Sequence, residues 1–155
     1  MTRSTGITLR LLARRSIPQV AELEALLLTH GTEETILLRT VAERGEPKEQ
    51  QLALPACDAT AVQALAATTL AKLVDPAADL ASQGSVQLGC EPLSDGDELR
   101  AVWLDGEGSP FFVLVVGGPE QGRLIIVDGR YGAELVSVLG VGATALMEAG
   151  PRILH

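Results

Sequence analysis

The sequence predicts an α+β fold, a mostly antiparallel sheet with helices packed on it and elements in the order β-α-β-β-α-β-β-β-β-α. Three observations carry this. Residues 98–128 read as three short apolar strands joined by Gly-rich turns. Residues 58–75 carry apolar side chains at helical spacing between Asp58 and Asp75-Pro76. The remaining strand-like runs follow one another with few connections long enough for a parallel crossover.

From the N-terminus, Ile7, Leu9, Leu11 and Ala13 alternate with Thr8, Arg10, Leu12 and Arg14, the period of a half-buried strand. A helix is predicted next. Ser16 and Gln19 stand at capping-box spacing, Val20, Leu23, Leu26 and Leu27 form a stripe, and Gly31 closes it. A hairpin follows, with Thr35 to Glu43 and Gln50 to Leu54 flanking the charged turn 44–49. Asp58 caps the second helix, on which Val62, Leu65, Ala66, Thr69, Leu70 and Leu73 share a side. Residues 77–84 read as loop or a fragment of helix, and Ser85 to Cys90 as a strand.

The meander comes next: 99–104, 111–117 and 124–127. It and its flank hold every aromatic residue of the chain: Trp103, Phe111, Phe112 and Tyr131. Its middle strand is apolar on both faces, Phe111, Val113 and Val115 on one and Phe112, Leu114 and Val116 on the other, so both faces are expected to be covered. In the first strand, Arg100 interrupts the row of Val102 and Leu104. The last segment, 132–150, suits a helix broken near Gly140, because Gly140 and Gly142 each cost about 1 kcal/mol relative to Ala. No internal repeat is visible, and the 155 residues are read as one domain, 1–155.

The net charge of −8 argues against nucleic-acid partners, although residues 1–15 carry four Arg and no acid and read as a basic first strand. No membrane partner is expected, since no apolar run reaches the roughly 18 residues of a span; with no signal-peptide core visible, a cytoplasmic location is expected. Cys57 and Cys90 lack metal spacing and read as isolated small hydrophobes. Cys57, just before a helix, is the one candidate for a lowered thiol pKa. His30 and His155 fall at a helix end and the last position, which leaves no triad or zinc set. The acidic run 94–98 lacks the EF-hand ligand pattern. No catalytic residue, metal or cofactor is therefore assigned, and enzymatic activity is not favoured.

The doubly apolar meander and the mean hydropathy of +0.25 point to surface shared with another molecule. The expected function is a non-catalytic protein–protein interaction module of adaptor, chaperone or assembly-factor type. Its partner would be a second copy, in a homodimer, or another protein, and its shared face Phe112, Leu114, Val116, Ile125 and Val127. The alternative is a small-molecule sensor or enzyme. Its site would lie where the meander turns gather Asp105, Glu107, Asp128, Arg130 and Tyr131 at one end of the sheet.

Overall fold

A computed structural model describes residues 6–45, 48–75, 84–105, 109–117 and 123–148. Glu107, His155, most of the 77–84 loop and parts of the charged and Gly-rich turns lie outside the described residues. The α+β class with antiparallel strands stands, but the strands form two sheets of four, in the orders β1-β2-β3-β4 and β5-β6-β7-β8. The first comprises β1 (Ile7–Ile17), β2 (Ala21–His30), β3 (Glu33–Ala42) and β4 (Glu49–Pro55), followed by helix α1 (Ala59–Leu73). The second comprises β5 (Val86–Pro92), β6 (Glu98–Asp105), β7 (Pro110–Val116) and β8 (Arg123–Asp128), followed by helix α2 (Gly132–Glu148).

The helix expected after Ser16 is strand β2. Its signals were real but served a hairpin. Ser16 Oγ donates to Glu22 Oε1 at 2.6 Å instead of capping a helix. The chain reverses at Ile17–Ala21, with Val20 N donating to Ile17 O at 2.9 Å and Gln19 at φ +66°. Gly31, at φ +64°, closes the β2–β3 turn, where a left-handed residue is as useful as at a helix end. Glu22-Leu23-Glu24-Ala25 alternates as a strand should; the run Leu26-Leu27-Leu28 satisfies both periods and hid this.

The two halves share one plan, ββββ, a three-residue 3-10 turn, then a helix. Pro55 before the turn at 56–58 has φ −60° and ψ 132°, and Asp128 before the turn at 129–131 has φ −56° and ψ 138°. Each half also has a register shift where its first strand pairs its second, at Leu11/Ala13 and at Gln87/Gly89. The helices are exchanged: α1 packs on β5 and β6, α2 packs on β1 and β2, and the helices pack on each other. One continuous cluster therefore joins Leu38 and Leu54 of the first sheet, Phe112 and Leu114 of the second, and Leu65 and Leu139 of the helices. Among the described residues no helix is long and apolar enough to cross a membrane.

Helix α2 runs unbroken through both glycines expected to break it. A Cβ on Gly142 would lie 2.8 Å from Ala25 Cβ of β2, and one on Gly140 would lie 3.1 Å from Ala66 Cβ of α1. The glycines let the helix approach its neighbours, and that packing offsets their cost in the helix. Asp58, expected as a cap, makes no side-chain cap bond. Its nearly buried carboxylate accepts from Ser94 N at 3.1 and 3.2 Å and from Ser94 Oγ at 3.0 Å, tying the start of α1 to the β5–β6 turn.

The sheets also meet at an edge, where Gln50 of β4 acts as a strand partner for β8. Its Nε2 donates to Ile126 O at 2.8 Å, and its Oε1 accepts from Ile126 N at 2.9 Å. Gln50→Ala removes both bonds and leaves part-buried backbone groups unpaired. It is expected to lower stability by about 2 kcal/mol, read as a lower urea midpoint with an unchanged slope.

Candidate functional site

Each sheet has an inner face under the helices and an outer face away from them. On the second sheet alternation puts Leu99, Ala101 and Trp103 of β6, Phe112, Leu114 and Val116 of β7, and Ile125 and Val127 of β8 inside. Phe112, Leu114, Val116 and Ile125 are fully buried, and Val127 packs against the same cluster. These five are the residues expected to form the shared face. That expectation is corrected: they lie in the chain's own core, built from both sheets and both helices.

The outer face is the more exposed one, although Val113 on it is only 6% exposed, and its register is fixed by pairing. Leu104, Phe111 and Asp128 stand side by side across β6, β7 and β8. The next outer row is Gln87, Val102, Val113 and Ile126, and the one after it Cys90, Arg100, Val115 and Leu124. Phe111 is 40% and Leu124 48% exposed. An exposed phenyl ring thus stands on an apolar floor, on the same face as Arg100.

Beyond Phe111 the carboxylate of Asp128 accepts from Arg130 N at 3.0 Å, from its Nε at 3.2 Å and from its Nη2 at 3.4 Å. The held guanidinium lies over the Tyr131 ring, 5.2 Å from its centroid. The backbone N–H of Arg130, and then its guanidinium, hold the Asp128 carboxyl below its usual range, while Asp128 holds the Arg130 guanidinium above its own. The lowered folded value gives the sign: this brace stabilises above the ordinary carboxylate range and is lost as the pH falls through the lowered value. On the inner side the Trp103 indole packs so closely on Gly129 that a Cβ there would sit 2.8 Å from the ring.

Of the five residues expected at this end of the sheet, Asp128, Arg130 and Tyr131 come together. Asp105 pairs with Pro110 at the same end, but alternation puts it on the opposite face from Asp128, and no described bond links it to Arg130. Glu107 lies outside the described residues. Asp128 is committed to holding Arg130, so the site is a braced cation over an aromatic ring rather than a carboxylate pair. No group of three His, Cys, Asp or Glu among the described residues could hold a metal.

Phe111 is the site residue that the sequence reading left out. Arg100 could have found it. Arg100 lies on the face of Val102 and Leu104, antiparallel pairing carries that face onto Phe111, and a face bearing an unburied Arg is the wet one.

The same place in the first half has no ring. There Thr35 pairs with Pro55 and the following turn carries Cys57, all on an open cleft also lined by Thr60 and Arg123. The outer face of the first sheet exposes Ile7, Leu9 and Leu11 but no aromatic residue, and its guanidiniums are engaged: Arg14 with Glu22 at 3.0 Å, Arg39 with Glu24 at 2.6 Å. Cys57 and Cys90 are both free and exposed rather than buried hydrophobes.

No family model and no curated protein matches this chain. Among solved structures it is similar to the plant transcriptional regulator PBF-2, at 12% identity over 95% of this chain and 86% of that one, with a TM-score of 0.31. It is also similar to WHY1 from Arabidopsis thaliana, at 13% identity over 94% of this chain and 88% of that one, with a TM-score of 0.31. The expected interaction module, adaptor or chaperone in type, does not stand on the face it relied on, because that face is interior. The exclusion of nucleic acid does not stand either: it rested on a net charge of −8, a whole-chain sum that leaves the charge of one face undetermined. A likeness at that TM-score goes no further. What this chain binds has to be read from its own surface.

Proposed function

We propose that this chain binds single-stranded nucleic acid on the outer face of its second sheet. The observation that carries the reading is the stacking platform at one end: Phe111 exposed on the sheet, directly opposite Asp128, which holds the Arg130 guanidinium over Tyr131. Every base offers a π-face. Unpaired bases stack on aromatic rings and guanidinium planes, each stack being worth about 1–3 kcal/mol. A duplex hides those faces, so the platform favours single strands.

The charges on this face are nearly balanced, Arg100 against Glu98 and Arg130 against Asp128. Binding is therefore driven by stacking, with weak help from phosphates. Two phosphate contacts on a single strand give a slope of about −1.4 in log affinity against log salt. A cytoplasmic location fits this reading, since both thiols remain free.

Trp103 is the only tryptophan, and its ring rests on Gly129, the residue before Arg130. Its emission is the natural reporter. Titration with an oligothymidylate should change Trp103 fluorescence saturably at low salt, with the shallow salt dependence above. Arg130→Ala should weaken the affinity by about ten-fold, the lower part of the stacking range. A titration that leaves emission unchanged, with no retention of the oligonucleotide on the immobilised chain, refutes the reading.

A further inference from the structure

We infer that the bound strand runs lengthwise along β6 and β7, from the Phe111–Arg130 end to Arg100, and lies over Cys90. This rests on the reading of the outer face as a single-strand platform and adds the path and the minimum length of the ligand. Between the Phe111 row and the Arg100 row lies one outer row, Gln87, Val102, Val113 and Ile126, which carries no acid. A path across the strands fares worse. Past the Asp128–Arg130 pair, which already belongs to the stacking end, it meets β4, joined to β8 by Gln50.

The far end of the track repeats the device at the near end. Arg100 is braced by a carboxylate two residues away, with its Nη2 donating to Glu98 Oε1 at 3.2 Å, as Asp128 braces Arg130. Cys90, opposite Arg100 in register, donates from Sγ to the other oxygen, Glu98 Oε2, at 3.3 Å. A strand whose phosphate reaches Arg100 therefore covers the Cys90 thiol. Desolvation and then the Glu98 carboxylate push that thiol's pKa up, so it alkylates more slowly than an ordinary thiol.

Leu104 and Arg100 are four residues apart on β6, a run of about 13 Å at the rise of an extended strand. That is the length of about four nucleotides at the 3.4 Å spacing of a stacked strand, and of fewer when the bases are splayed. One nucleotide cannot occupy both ends. The ligand is an oligonucleotide, and a free nucleotide reaches only the stacking end.

The test uses the full chain and oligothymidylates of one, two, four and eight residues. Affinity should rise steeply from one to about four residues and then flatten, and Arg100→Gln should cut that gain by about five-fold. At about pH 8.5, near the ordinary thiol pKa, the bound eight-residue strand should slow iodoacetamide alkylation of Cys90. Cys57, in the turn that follows the other sheet, serves as the control and should keep its rate. Binding that needs Phe111 and Arg130 but leaves the Cys90 rate unchanged, or that is as tight for one residue as for four, overturns the lengthwise path and leaves the parent reading standing. If no oligothymidylate of any length binds, the parent reading fails and this inference with it.

Discussion

Phe112→Ala is expected to lower the unfolding free energy by about 3–5 kcal/mol, the range for truncating a fully buried phenyl ring. Phe112 is 0% exposed, and the start of α2 sits on it: a Cβ on Gly132 would lie 2.9 Å from Phe112 Cγ. The adjacent change, Phe111→Ala, removes a ring from the outer face, where exposed substitutions usually move stability by less than about 1 kcal/mol. The contrast between neighbours is the informative part. In urea titrations Phe112→Ala should lose several times what Phe111→Ala loses, at similar slopes. A larger loss for Phe111→Ala than for Phe112→Ala would mean that the two faces are exchanged.

Gly142→Val is expected to cost about 2–3 kcal/mol, although Gly is among the poorest helix formers. A side chain there gains up to about 1 kcal/mol of helix propensity, but its Cβ must enter a 2.8 Å gap against Ala25 Cβ, a rigid atom on a central strand. The clash wins because neither α2 nor β2 can shift without disturbing the packing on both sides. Gly140→Ala makes a useful companion. Its contact with Ala66 Cβ is 3.1 Å, so a displacement of a few tenths of an ångström suffices, and propensity and crowding should nearly cancel. Thermal unfolding of the two variants should show a clear drop for the first and little change for the second. A stabilised Gly142→Val would mean that α2 does not press on β2.

The meander was legible in the sequence because its strands are short, apolar and punctuated by Gly and Pro, signals that depend only on neighbours in the chain. Helix α1 was legible for the same reason, with Asp58 and Asp75-Pro76 marking its limits. Strand β2 was misread because its start and stop residues suit a hairpin and a helix equally, and a leucine run fits either period. The duplication stayed hidden because it lives in backbone path and not in residue type: Pro55 and Asp128 share φ and ψ but no chemistry. The exchange of helices between sheets is a long-range property that no local pattern encodes. It also explains why the doubly apolar strand β7 needs no partner on its inner side.

The candidate site was legible in part. The turn geometry brought Asp128, Arg130 and Tyr131 together, yet their chemistry was misjudged, because whether a carboxylate is free or spent on a neighbouring N–H depends on backbone angles. The choice between Phe111 and Phe112 was open from alternation alone. The cross-strand position of Arg100 decides it.

The most direct test of the single-strand platform is the affinity of a fluorescent oligothymidylate, read by anisotropy at low salt, for the native chain and for the double variant Phe111→Ala/Arg130→Ala. Both substitutions lie on exposed side chains, so the variant should keep the native urea midpoint to within about 1 kcal/mol. Loss of two stacking contacts should weaken binding by about 100-fold, and a matching duplex should bind the native chain no better than the variant binds the single strand. A folded double variant that binds as tightly as the native chain, or a native chain that prefers the duplex, would contradict the account.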